Sequence, residues 1–178
     1  MDWRIYITHA QYTVGGDEKC SKEEVKLAEK CGICLEYDGR YREAETMYQI
    51  VHEYREGVLG PEHPHTLNSV NSFGSVLDSQ GKYEEAEAMH RRALQYREKV
   101  LGLQHPDTLT SVSNLGSVLN LKGKYEVAEA MHRRLLQYRK HVLGLQHPDT
   151  LTSVSNLDLV LDSQGKYEEA NAIRQRYP

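Results

Sequence analysis

Cysteine is scarce in this 178-residue sequence: there are three, all before residue 35. An odd, clustered set is not a disulfide framework, so a reducing cytoplasm is the expected compartment. Long apolar runs are missing, and none approaches the roughly 18 residues needed to cross a bilayer. The opening Met1-Asp2-Trp3-Arg4-Ile5-Tyr6-Ile7 is too short and too polar for a secretion signal. An excess of positive charge is also missing. With a net charge of −4 and a pI near 6.1, no footprint for nucleic acid or an anionic membrane is present.

The motifs of catalysis are absent too. No Gly-x-Ser-x-Gly, His-Glu-x-x-His or Gly-x-Gly-x-x-Gly occurs, nor the phosphate-binding Gly-x-x-x-x-Gly-Lys-[Ser/Thr]. Neither an enzyme nor a cofactor site is therefore expected. Cys31-x-x-Cys34, with Cys20, has no suitably spaced fourth metal ligand.

What the chain does have is a sentence written again every 42 residues. It starts at Gly39-Arg40-Tyr41, Gly81-Lys82-Tyr83 and Gly123-Lys124-Tyr125, and begins once more at Gly165-Lys166-Tyr167. His-Pro recurs in step at His63, His105 and His147. A fixed period of this size is the signature of a stacked-repeat solenoid, whose units contact mainly their neighbours. Such folds offer long surfaces rather than a central cleft, so binding is expected before chemistry.

One unit runs from Gly81 to Lys122. From Tyr83, small or apolar residues fall at three- and four-residue spacing, which predicts an amphipathic helix ending at Leu101-Gly102. Glutamates stand in its first turn, with Arg97 and Lys99 near its end, the sense that the helix dipole favours. His105-Pro106-Asp107-Thr108 then opens a second helix, with proline in the first turn where its missing N–H costs nothing. Leu109, Val112, Leu115, Gly116 and Leu119 form its apolar stripe, and it stops before Gly123.

In this register Gly32, Gly74 and Gly116 share one station, and Ala44, Ala86 and Ala128 another. Small residues at both let the paired helices approach closely. Cys31 takes the station of Phe73 and Leu115, and Cys34 that of Val76 and Val118, so both read as small buried hydrophobes. His90 and His132 stand where Tyr48 stands, a packing position. The arginines Arg91, Arg92, Arg97, Arg133, Arg134 and Arg139 alternate with glutamates. They read as a solvated outer face laced by pairs such as Glu87 with Arg91, each worth a few tenths of a kcal/mol.

These features resemble the tetratricopeptide repeat. The Gly-Lys-Tyr-Glu-Glu-Ala-Glu opening, and Tyr96-Arg97-Glu98-Lys99-Val100-Leu101-Gly102 leading to His105-Pro106-Asp107-Thr108, look like the longer kinesin-light-chain type. The likeness covers about Ser21 to the end. It implies an all-α, right-handed solenoid of antiparallel helix pairs. About 20 irregular or partly helical residues, 1–20, lead into an array over 21–178. Its repeats are expected at about 21–58, 63–102 and 105–144, with a partial fourth over 147–178. The near-identical copies also resemble the arrays of NLR-like STAND ATPase sensors, here without a nucleotide-binding loop.

In the family that this chain resembles, the first helix of each pair lines the concave groove. The residues expected there are Asn68, Asn71, Ser75 and Asp78; Thr110, Ser113, Asn114, Ser117 and Asn120; then Thr152, Ser155, Asn156 and Asp162. Asparagine can both donate to and accept from a peptide backbone, so such a lining suits an extended peptide of unspecified sequence. The resemblance thus implies a non-catalytic scaffold with a protein or peptide partner, and no nucleic-acid or membrane partner. Three alternatives accompany it: self-association through an uncapped last repeat, the sensor arm of a larger ATPase, and a kinesin-light-chain-like cargo adaptor.

The copies are very alike. Leu101 to Leu115 returns verbatim at Leu143 to Leu157, and Asp78 to Ala86 at Asp162 to Ala170. Two departures stand out. Asp158 replaces glycine at the close-contact station, where an unpaired carboxylate would be costly. Leu135 replaces Ala93, which predicts overpacking of order 1 kcal/mol or more. Altered packing is therefore expected near that junction.

Overall fold

The computed structural model describes residues 21–177. The expected lead-in over 1–20, with Cys20, lies outside them. Among the described residues there are eight α-helices and no strand: α1 Lys22–Tyr37, α2 Tyr41–Leu59, α3 Pro64–Ser79, α4 Tyr83–Leu101, α5 Pro106–Leu121, α6 Tyr125–Leu143, α7 Pro148–Ser163 and α8 Tyr167–Arg176. Lengths alternate between 16 residues for the first helix of each pair and 19 for the second, until α8 with 10.

Local chemistry sets these boundaries. Ser21 caps α1 through a reciprocal capping box with Glu24, at 3.3 and 2.7 Å. The His-Pro stations act as caps of an unusual kind. The imidazole Nδ1 of His63, His105 and His147 accepts from the N–H two residues on, each at 3.2 Å. Proline follows at N1, where no donor is lost. At the other end of α5, Gly123 takes φ +72°. Lys124 N–H reaches back to the Leu119 carbonyl at 2.9 Å, and Gly123 N–H to Asn120 at 2.9 Å. This closes the helix with a left-handed turn that only glycine enters without strain.

Contacts gather the residues into two compact units, divided between Val100 and Leu101. In the first, the core joins Val25, Ala28, Cys31 and Leu35 of α1 to Ala44, Met47, Tyr48, Ile50 and Val51 of α2, with Val76 of α3 packed onto them. In the second, Leu136 of α6, Val154, Leu157 and Leu161 of α7 and Ala170 of α8 form a cluster, flanked by Ile173 and Tyr177. Each fully buried leucine or valine of these clusters contributes about 1.5–3 kcal/mol by leaving water. Leu135 is 1% exposed and takes its place in the core beside the buried Leu136.

Candidate functional site

The close-contact station fixes how each first helix lies on its partner. Gly32 faces the Tyr48 ring, Gly74 the His90 ring and Gly116 the His132 ring. A methyl group built on Gly116 would lie 2.6 Å from His132 Nε2, and one on Gly74 2.8 Å from His90 Cε1. Ala44, Ala86, Ala128 and Ala170 are fully buried at the second small-residue station.

His90 and His132 are the packing residues that the register implies, 1% and 0% exposed. Burial lowers both to a pKa of about 4, with Arg97 and Arg139 acting in the same sense. The Gly116 backbone opposes this at His132, but neither ring nitrogen makes a hydrogen bond of ordinary geometry. Both imidazoles are neutral at pH 7. In the first pair, Tyr48 instead donates to Glu36 at 2.5 Å. Burial, then that bond and the Glu36 charge, raise the phenol's pKa.

Two arginines depart from the expected solvated face. Arg97 and Arg139 are 4% and 7% exposed. Arg97 donates to Asn68 Oδ1 at 2.6 Å, tying α4 to α3 within one pair. Arg139 donates to the Asp149 carbonyl at 3.0 Å and to Ser153 Oγ at 2.9 Å. Arg55, at the same station, donates to the His65 carbonyl at 3.3 Å and to Glu29 at 2.7 Å. Arg55 and Arg139 thus join a second helix to the first helix of the next pair. Alternation with glutamate could not reveal this, because the planar guanidinium finds its partners on another helix. Arg91 and Arg133 fit the surface expectation, pairing with Glu87 at 2.8 Å and Glu129 at 2.6 Å.

Glu129 is a station that the sequence reading missed. Its carboxylate accepts from Arg133, from Gln164 at 2.9 Å and from Lys166 at 2.7 Å. Burial pushes its pKa up, but these bonds prevail and bring it down to about 2. Glu45 repeats the arrangement with Gln80 and Lys82. The signal was available, since the acid recurs in step with the Gly-Lys-Tyr turn that it clasps.

Cys31 is buried as expected, but Cys34 is exposed. The register placed it with Val76 and Val118, which are buried. Val76 gains its cover by packing on the α1–α2 core, whereas Cys34 belongs to the first described pair. No cluster of three or more His, Cys, Asp or Glu side chains suited to a metal occurs among the described residues.

The residues expected to line a groove all lie on first helices. On α3, Asn68 is exposed and tied to Arg97, while Asn71, Ser75 and Asp78 are half-buried. Ser75 donates to the Asn71 carbonyl at 3.1 Å. Burial raises the Asp78 carboxyl, and its Oδ1 has no partner. In the second unit, Thr110, Thr152 and Ser155 are exposed, and Asn114, Ser117, Asn156 and Asp162 half-buried. Ser113 and Asn120 are 8% and 6% exposed. Adjacent first helices are joined here: Asn156 Nδ2 donates to Ser113 Oγ at 3.0 Å, and Asn120 Nδ2 reaches Ser163 Oγ at 3.4 Å. Some of the amides expected to meet a peptide therefore tie the helices together.

A tetratricopeptide-repeat family model matches residues 26–99, 74–140 and 107–176. The chain belongs to the tetratricopeptide repeat family. Its fold is an all-α repeat solenoid of helix pairs. Among solved structures it is similar to a Podospora anserina protein described as a kinesin light chain with nearly identical TPR-like repeats. A single-substitution variant of that protein has TM-score 0.81 at 18% identity, covering 98% of this chain and 82% of that one. A second form gives 0.78 with the same identity and coverage. BtubC (BKLC) from P. vanneervenii gives 0.76 at 18% identity, covering 98% and 69%. No curated protein matches the sequence. No helix among the described residues is long and apolar enough to cross a membrane.

Proposed function

We propose that the chain is a non-catalytic protein-interaction scaffold that holds an extended peptide against the first-helix face of its repeats. One observation carries this reading: the difference between the faces of the second unit. The second helices are occupied by ion pairs, with Arg133 bound to Glu129 and Glu169, and Lys166 bound to Glu129. Helix α5 has no charged residue beyond its first turn, and α7 has only Asp158 and Asp162 there, both bound to Arg174. Helix α5 carries Thr110, Asn114 and Ser117, and α7 carries Thr152, Ser155 and Asn156. The hydroxyls of Thr110, Ser117, Thr152 and Ser155 donate to carbonyls of their own helices, and Asn156 Nδ2 to Ser113, so their oxygens face a peptide as uncharged acceptors. Amides and hydroxyls of this kind bond a peptide main chain without demanding a particular sequence. The cytoplasm is the proposed compartment, as the cysteine usage suggests.

The test is to replace Asn71, Asn114 and Asn156 together by alanine and measure capture of partner proteins from native lysate. Helicity by circular dichroism serves as the folding control. Loss of capture with helicity retained is expected. Undiminished capture contradicts the reading.

A further inference from the structure

Three departures from the repeat meet at one cavity. In register, Asn120 replaces the acids Glu36, Asp78 and Asp162, Leu121 replaces Ser79 and Ser163, and Leu159 replaces Ser75 and Ser117, while the first copy has Tyr37 and Ile33 at the last two stations. All three line a cavity of about 70 Å³ in the second unit, where α5, α6 and α7 meet. Ser117, Asn156 and His132 line it as well. In a chain that repeats long stretches verbatim, changes gathered around one hollow point to a use for it.

The lining has a definite chemistry. Leu121 and Leu159 are 51% and 59% exposed, so they form an apolar rim open to solvent. Beneath them, His132 and Asn120 are at least nine-tenths buried. Asn120 Oδ1 has no hydrogen-bond partner in the protein, and His132 Nδ1 has none either. Buried polar atoms are rarely left so, because each costs about 1–3 kcal/mol. Asn156, which shares the lining, commits its Nδ2 to Ser113.

Charge narrows the ligand. The sister stations hold acids, Asp78 and Asp162, but here the residue is a neutral amide, and no ionised side chain lines the cavity. A cationic ligand group would lack a counter-charge and a carboxylate would face acceptor atoms, so both would pay for desolvation. The Nε2 edge of His132 lies against Gly116, which leaves Nδ1 as one acceptor toward the cavity and Asn120 Oδ1 as a second. A primary carboxamide supplies the complement, two N–H donors for these two acceptors, with its carbonyl toward the open mouth. The volume is that of about two water molecules, which suits the three heavy atoms of such a group.

We infer that this cavity is a specificity pocket for the carboxamide of a glutamine side chain, whose methylenes lie between Leu121 and Leu159. The inference rests on the groove reading, since the pocket opens among the residues proposed to meet a peptide. It would give that surface one preferred residue.

The test uses N-acetyl-glutamine methylamide as the probe on the isotope-labelled full chain, followed by NMR of the Leu121 and Leu159 methyls and the His132 ring. Saturable shifts at all three are expected. The glutamate and norleucine analogues should bind at least tenfold more weakly. Asn120→Asp, Leu121→Ser and Leu159→Ser install residues that the sister copies already carry, so they keep the fold, and each should weaken the glutamine probe severalfold. No saturable shift at these residues, or equal binding of the three analogues, overturns the inference even if a partner protein is captured. The probe is too short to need a groove. Undiminished capture by the triple asparagine variant would therefore count against the groove and leave the probe result to decide the pocket.

Discussion

Arg174 Nε donates to Asp158 Oδ2 at 2.8 Å, and the same guanidinium bonds Asp162. Asp158 stands 42 residues after Gly116, and Arg174 stands 42 after His132. The fourth copy has therefore changed both members of the close-contact pair: glycine against imidazole has become carboxylate against guanidinium. The cost expected of a carboxylate at this station is offset by its partner, although Asp158 Oδ1 stays buried without one. We predict that the singles Asp158→Gly and Arg174→His each lower the melting temperature, and that the double variant, which rebuilds the sister pair, recovers part of the loss. Additive losses in a double-mutant cycle would contradict this coupling.

Glycine at the other stations is a packing requirement. Gly116→Ala should cost about 1–3 kcal/mol by forcing a methyl against the His132 ring. His132→Ala made alongside it should return part of that loss by vacating the space. Chemical denaturation of the four forms measures both terms.

Leu135 separates two accounts of the third repeat. If it overpacked its site, Leu135→Ala would be neutral or stabilising. Because it is fully buried in the core, truncation should cost about 2–5 kcal/mol, read from the shift of the denaturation midpoint.

Arg139→Leu removes an inward-facing guanidinium, leaves the Ser153 hydroxyl oxygen without its donor, and leaves the Asp149 carbonyl with the Ser153 hydroxyl as its side-chain donor. A loss of about 1–3 kcal/mol is expected. Arg134→Leu, on an exposed side chain, should stay within about 0.5 kcal/mol.

Acid should weaken the fold in two stages. An unfolded histidine titrates near 6.5, whereas His90 and His132 titrate near 4 in the folded chain. The unfolded state takes up these protons first. Their contribution is thus complete above pH 6.5 and is lost as pH falls toward 4, by about 3 kcal/mol each at most. Glu129, held near 2, adds a second loss between about 4.5 and 2. Denaturant melts across this range check the order. His132→Phe should remove part of the first stage, and Glu129→Gln should flatten the second.

The sequence displays the period, the helix boundaries, the small glycine station and the packing station of His90 and His132 openly, because each depends on spacing along one or two adjacent helices. Arg139 and Cys34 were misplaced for a different reason. Their burial depends on which neighbouring pair covers them, and alternation of charge along one helix does not report that. Arg174 could have been found by carrying the register one copy past His132. The bonds that Asn156 and Asn120 make across first helices could not. An amide in such a position suits a peptide and a neighbouring helix equally well, and only their placement in space separates the two.

A peptide held on the first helices would shield their backbone from exchange. Hydrogen–deuterium exchange of the chain with and without a captured partner tests it most directly. Added protection over α5 and α7, with α6 and α8 unchanged, is expected. Protection confined to α6 and α8, or none at all, would contradict it.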